Sequence, residues 1–222
     1  HRMGAIDSLN LFDLDELIIF SFYWANRDRY RRVLDVGANI GLHSVVLSKC
    51  GMKVRAYEPE PQHFQLLERN LALNGCRNVE VFTSAVSSQA VVQEFVKVLG
   101  NTTGSHLAGS KPNPYGELER FPVNVDAFQP LMGWADLIKL DVEGHEKEVL
   151  LATEAADWLN TDAMVEVGSD ENAEALYSHF TDLGVGMFSQ KIGWQRVRGR
   201  HDMPASYRDG SLFVSCKEQM PW

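Results

Sequence analysis

Cysteine is scarce in this sequence: Cys50, Cys76 and Cys216 are the only three among 222 residues, and no two form a CxxC pair. That excludes a disulfide scaffold and a zinc ribbon, and the three read as reduced, packed thiols of a cytoplasmic protein. Long apolar runs are absent too. The longest near the start, Leu17 to Trp24, is interrupted by Ser21, so neither a signal peptide nor membrane insertion is expected. Basic residues are in deficit, 21 Lys and Arg against 30 Asp and Glu, for a net charge of −9. Phosphate backbones demand a dense basic patch, so no nucleic-acid partner is expected, Arg27, Arg29, Arg31 and Arg32 being the only basic cluster. No repeat or low-complexity tract is present, and nothing specifies an oligomeric state. With 45% hydrophobic and 23% charged residues the chain has an ordinary globular composition and enough length for one good-sized core.

Along that core, strand and helix patterns alternate. Leu9 to Ala25 reads as an amphipathic helix with Leu14, Leu17, Ile18 and Phe22 near one face. Arg32 to Val36 is a strand, Leu42 to Cys50 a helix closed by Gly51, and Met52 to Tyr57 a strand. Pro61 to Asn74 is a helix and Val79 to Phe82 a third strand. Short connections between alternating elements argue for parallel strands in a doubly wound α/β sheet. Val91 to Leu99 and Phe121 to Val125 look like strands with no helix between them, flanking a Gly-, Ser-, Asn- and Pro-rich loop from Gly100 to Arg120. Leu137 to Leu140 is a buried strand, His145 to Trp158 a helix, Ala163 to Val167 a strand and Asn172 to Leu183 a helix. Gly184 to Cys216 reads as two or three antiparallel strands. We expect one domain over 1–222, with a helical extension at 1–30 and a Rossmann-like core at 31–222.

The sharpest motif is Leu34-Asp35-Val36-Gly37-Ala38-Asn39-Ile40-Gly41, where a strand enters a small-residue turn before a helix. Such a turn aims backbone N–H groups at a polar ligand and lets it approach closely. Glu58 ends the next strand, where a carboxylate accepts hydrogen bonds from ribose hydroxyls. NAD and S-adenosyl-L-methionine sites share this pair. The GxxxG spacing, rather than GxGxxG, favours the latter, as does Asp35, placed to meet an amino group that NAD lacks. No Tyr-x-x-x-Lys pair or second substrate domain supports a dehydrogenase.

LDVGANIGLHS, YEPEPQHFQLLERNLALNG, SAVSS and DLIKLDVEGHEKEVLLA follow in that order, and together they resemble the FkbM family of S-adenosyl-L-methionine-dependent methyltransferases. The resemblance runs from about Val33 to Leu151. It implies a Rossmann-like class I methyltransferase fold: a doubly wound, mixed seven-stranded sheet with an antiparallel last strand. It implies S-adenosyl-L-methionine as cofactor and S-adenosyl-L-homocysteine as product. Gly37, Ala38, Asn39 and Gly41 would meet the methionine portion, with Ser44 a neighbour, Glu58 would hold the ribose, and Ser84, Ala85 and Val86 would border the adenine. Asn101 and Ser105 are further candidates.

Asp141-Val142-Glu143-Gly144-His145-Glu146 follows the fourth core strand, at the end of the sheet where such folds bind ligands. Asp141 therefore also belongs to the cofactor set. A hydroxyl acceptor needs its proton drawn off, and Asp141, Glu143 and His145 are the candidate bases. Alternatives remain: the same residues as ligands of a divalent metal, which is not favoured, or as helix caps. Glu166, on the next strand, either orients His145 or pairs with Lys139. His106 and His201 are candidate second bases, and Trp194 could stack on a sugar. Arg196, Arg198 and Arg200 share a strand face that would suit an anionic acceptor. The expected activity is O-methylation of a sugar, glycan or natural-product hydroxyl, the alternatives being N-methylation of a small amine or peptide, or a non-catalytic cofactor-binding module.

Overall fold

The computed structural model describes residues 12–101, 104–111 and 116–222. The expected helix start at Leu9 to Leu11 lies outside them. In chain order the elements are α1 (Leu14–Ala25), β1 (Arg32–Val36), α2 (Leu42–Lys49), β2 (Lys53–Tyr57), α3 (Pro61–Leu73), β3 (Val79–Phe82) and β4 (Ala85–Ser87). Next come β5 (Val91–Val98), β6 (His106–Leu107), β7 (Leu118–Ala127), α4 (Phe128–Met132), β8 (Leu137–Leu140) and α5 (Glu146–Leu150). The last are β9 (Asp162–Glu166), α6 (Asp170–Leu183), β10 (Gly186–Ser189), β11 (Gln195–Arg196) and β12 (Ser211–Ser215).

The main sheet has the order β11-β10-β12-β9-β8-β1-β2-β3. β3, β2, β1, β8, β9 and β10 run parallel, while β12, inserted between β9 and β10, runs antiparallel to both. The reversed last strand is as expected. The eighth strand is the two-residue β11, paired at the edge with Phe188 and Ser189. After β3 the chain returns to the other side of β1, so a crevice opens beyond the carboxyl ends of β1 and β8. A second sheet, β4-β7-β5-β6, covers that crevice as a hood. Its β5 and β7 are the two strands expected without a helix between them.

Side chains alternate across a strand, so each sheet face has its own core. Leu34, Ile138, Ala163 and Leu212 pack on one side with α6 residues Leu176 and Phe180. Val33, Leu137, Met164 and Phe213 pack on the other with Ile19, Phe22 and Tyr23 of α1. The same alternation puts Asp35, Lys139, Asp141 and Glu166 on the α1 side, at successive positions toward the strand ends. Two expectations change. On α1, Leu14 and Leu17 are exposed and Ile19, Phe22 and Tyr23 face the core, because Phe22 wedges edge-on against Phe213. The helix expected through Trp158 stops at Leu150. There the Thr153 hydroxyl donates to Leu150 O (2.7 Å) and accepts from Trp158 Nε1 (3.0 Å), so the chain turns into a short 3-10 segment at Ala155–Trp158.

Candidate active site

The turn after β1 spends its amides internally. Gly37 and Ala38 N–H donate to Tyr57 O (3.1 and 3.0 Å), Gly41 N–H to Ala38 O (2.8 Å), and Asn39 N–H to Glu58 Oε2 (2.8 Å). The expected free N–H groups are therefore not what the turn offers. It offers a bare backbone at Gly37 and the Asn39 side chain, whose buried Oδ1 has no hydrogen-bond partner among the described residues. Gly37 has φ +77°, and a Cβ there would lie 1.7 Å from Asp141 O. Only glycine lets β1 and β8 end this close together. Gly41 serves packing as well: its Cβ would come within 2.4 Å of Leu67 Cδ1 on α3.

Glu58 accepts on both oxygens, from Asn39 N–H and from Glu60 N–H (2.9 Å). It is nearly buried with no cation in hydrogen-bond reach among the described residues, and burial pushes its carboxyl up to about 7. A carboxylate with one donor per oxygen has acceptor capacity left. The cavity it lines is walled by Val36, Tyr57, Ala85, Val86, Phe95 and Leu107, with Asn39, Ser105, His106, Asp141, Glu143 and His145 around the rim. Flat apolar walls with acidic and amide acceptors at one end suit an aromatic base linked to a diol and an ammonium group.

Of the residues expected at the cofactor, Gly37, Asn39, Glu58, Ala85, Val86 and Asp141 line this cavity, whereas Asp35, Ala38, Gly41, Ser44 and Ser84 do not. Asp35 is fully buried and accepts from Ser44 Oγ (2.5 Å), with Lys139 Nζ 3.8 Å from its other oxygen. These two side chains meet each other beneath the turn rather than a ligand. Ser84 donates to Asp126 Oδ2 (2.6 Å). Phe95, His106 and Leu107 come from the hood and were not singled out as cofactor residues, because nothing local in β5 or β6 announces that they fold back over β1.

Lys139 lies at the centre of the acidic turn. Its ammonium donates to Gly37 O (3.0 Å) and Asp141 Oδ2 (3.4 Å), and Asp141 and Asp35 hold its pKa up despite burial. Burial opposes ionisation of Asp141, yet Lys139 and a hydrogen bond from Glu166 keep it below the usual carboxylate range. The Asp141 charge and burial push Glu166 well up, so Glu166 keeps the proton the two share. Glu143 has φ +56° and pairs with Lys111 (2.6 Å). Burial and Asp141 push its carboxyl up to about 6. Glu146 braces the turn, accepting from Val142 N–H (3.2 Å), Gly144 N–H (3.0 Å) and Asn172 Nδ2 (2.5 Å).

His145 is placed differently from a free base. Its Nε2 meets Ser87 Oγ at 2.8 Å and its Nδ1 meets Ser110 Oγ at 2.9 Å, so both ring nitrogens are engaged by hood residues. Burial lowers its pKa. Glu166 goes to Asp141 and not to His145. Asp141 and Glu143 each face a lysine, and among the described residues no group of three His, Cys, Asp or Glu side chains converges to hold a metal ion.

Beside the cofactor cavity is a larger cleft of about 930 Å³. Glu143 lines both. The cleft is built from α1 (Asp15, Glu16, Ile19), the acidic turn, Glu166, the start of α6 (Glu171, Asn172), and Tyr207 and Ser211, with Asn101 and Lys111 from the hood side. Carboxylates outnumber ammonium groups along it. Arg196, Arg198, Arg200, Trp194 and His201 line neither cavity. Arg200 is held by Asp170 and by Glu174 (2.9 Å), Trp194 packs against Trp222, and His201 lies exposed beside Asp202. The anionic-acceptor expectation thus loses its basis: the strand ends at Arg196, so the three arginines do not share a strand face, Arg200 is paired away from the cleft, and the cleft is acidic.

Six parallel strands with an inserted antiparallel strand, a glycine turn after β1 and a ribose-type acid after β2 define a Rossmann-like fold of the class I methyltransferase kind. The FkbM methyltransferase domain matches residues 35–183, and the chain belongs to that family. It is similar to methyltransferase sdnD of Sordaria araneosa, 28% identical over 57% of this chain and 61% of that protein. It is also similar to 31-O-demethyl-FK506 methyltransferase FkbM of Streptomyces tacrolimicus, 28% identical over 57% of this chain and 60% of that one. The chain thus spans about three-fifths of these curated relatives. Among solved structures, a precorrin-6y C5,15-methyltransferase from Geobacter metallireducens superposes with TM-score 0.49 at 12% identity, covering 95% of this chain and 90% of that one. No helix among the described residues is long and apolar enough to cross a membrane.

Proposed function

We propose that the chain is an S-adenosyl-L-methionine-dependent O-methyltransferase whose acceptor is a hydroxyl of a sugar, glycan or hydroxylated natural product. The observation that carries this is Glu143, a carboxyl held up at about 6 where the apolar-walled cavity meets the larger acidic cleft. The relative from Streptomyces tacrolimicus is named for a 31-O-demethyl substrate, which suits an oxygen acceptor. Free cysteines suit a reducing compartment such as the cytoplasm.

The donor set fits the cofactor. Glu58 would accept from the ribose hydroxyls, and Asn39 Oδ1 and the anionic Asp141 from the ammonium group. Tyr57, Ala85, Val86, Phe95 and Leu107 would sandwich the adenine. Asp35 and Ser44 act from below, through Lys139. When bound, S-adenosyl-L-methionine supplies a methyl group on a positively charged sulfur and leaves as the neutral S-adenosyl-L-homocysteine. This chain's residues then align the acceptor and hold its proton. Glu143 is ionised at neutral pH and still basic enough to take the hydroxyl proton, with Lys111 fixing its direction. His145 holds Ser87 and Ser110, tying the hood to the turn.

The acidic cleft favours neutral or cationic acceptors over phosphorylated ones. For the same reason it supports a second reading, N-methylation of a small amine. The test is melting with S-adenosyl-L-homocysteine, followed by mass spectrometry of hydroxylated and amine acceptors incubated with S-adenosyl-L-methionine. Saturation at 100 times Kd stabilises by about 2.7 kcal/mol. A melting curve that does not move removes the cofactor reading. Methylated nitrogen without methylated oxygen selects the second.

A further inference from the structure

The hood must be held against the ligand loops, and one contact does this with buried charge. Lys97 lies on β5, two residues beyond the cavity-wall residue Phe95, and is 5% exposed. Its Nζ donates to Glu60 Oε1 at 2.8 Å, the side chains being 6% and 2% exposed. Glu60 caps α3, its Oε2 accepting from His63 N–H at 2.8 Å, and its own backbone N–H donates to Glu58 Oε1 at 2.9 Å. A continuous chain thus runs from the hood to the ribose-type acid: Lys97, the Glu60 side chain, the Glu60 amide, Glu58, and the Asn39 amide at 2.8 Å. A charge pair this dry contributes little net stability against an apolar pair, while breaking it strands one charge. Its value must therefore be sought in what it orients.

We propose that Lys97 is a positioning residue for the cofactor: through Glu60 it sets the Glu58–Glu60 turn so that the Glu58 carboxylate faces the ribose. The proposal rests on the cofactor reading above. It assigns a binding role to a lysine that touches neither reacting atoms nor cofactor, on a strand outside the main sheet. Lys97 and Glu58 should behave as one unit toward ligand, since the lysine works through the carboxylate.

The experiment is calorimetric titration of the full chain with S-adenosyl-L-homocysteine. The set is native, Lys97→Met, Lys97→Arg, Glu58→Gln, the double variant Lys97→Met with Glu58→Gln, and the pair replacement Lys97→Met with Glu60→Gln. The pair replacement removes both charges and keeps an α3 cap, so it serves if Lys97→Met alone does not fold. Expected are a weakening of at least about tenfold in Lys97→Met and in the pair replacement, and recovery to within about threefold of native in Lys97→Arg. In the double variant with Glu58→Gln, the loss should be no larger than in Glu58→Gln alone. Native-like affinity in a folded Lys97→Met or pair-replacement protein, or losses that multiply in the double variant, overturns the proposal while leaving the cofactor site standing. Failure of the native chain to bind overturns both readings.

Discussion

Glu58 makes binding of S-adenosyl-L-homocysteine depend on pH in a way that can be worked out beforehand. In the free protein burial raises its carboxyl from an ordinary 4.5 to about 7. That gap corresponds to about 3 kcal/mol favouring the protonated form in the folded state. The sign follows from linkage. Glu58's contribution to folding stability is full below 4.5 and is lost as pH rises through about 7. Ligand binding runs the other way, because ribose hydroxyls donate to the ionised carboxylate. Binding below pH 7 must therefore expel the Glu58 proton. Affinity should fall toward tenfold per pH unit well below pH 7, so about 50-fold between pH 7 and pH 5. Calorimetry in buffers of different ionisation enthalpy should show close to one proton released per ligand at the acid end. Glu146, also raised to about 7 by burial, titrates in the same range, and His63 Nδ1 lies 3.9 Å from Glu58. The Glu58→Gln variant therefore decides the assignment: its affinity should be lower and its pH profile flat from 5 to 7. A flat profile in the native protein, or an unchanged slope in Glu58→Gln, refutes the argument.

Further predictions follow from the same geometry. Gly37→Ala puts a Cβ 1.7 Å from Asp141 O at φ +77°, so it should lower stability by at least about 3 kcal/mol and abolish ligand-induced stabilisation, both read by thermal melting. Lys139→Met leaves the fully buried Asp35 beside Asp141 without their cation, and urea denaturation should show a loss of about 3–5 kcal/mol. With a hydroxyl acceptor in hand, Glu143→Gln should cut kcat by about 10²–10⁴-fold while leaving S-adenosyl-L-homocysteine affinity within a few fold. His145→Asn should act mainly on stability and cofactor affinity, since its ring ties Ser87 and Ser110; a larger kcat loss in His145→Asn than in Glu143→Gln would return the base to the histidine.

Much of the parallel half was legible because its signals are local. An apolar run ending in Gly37, the helix closed near Gly51, and Pro61 opening α3 each follow from backbone preferences within a few residues. The spacing from Gly37 to Glu58 is likewise one strand-helix-strand unit long, so an acid at the second strand's end had to reach the first turn. The break after Leu150 was hidden because helical periodicity does not report a threonine that caps the preceding carbonyl and grips Trp158.

From the chain order alone came the doubly wound class, the glycine turn and the acidic turn. Local sterics and strand periodicity determine all three. Tertiary structure alone decided that Gly41 serves Leu67, that Asp35 faces Ser44 and Lys139, that both His145 nitrogens are taken, and that Lys97 reaches Glu60. Those facts depend on which strands the second sheet lays over the first. That choice is made by burial of side chains distant in sequence, such as Phe95 with Leu107, Val123 and Ala85, for which no short stretch of residues carries a sign.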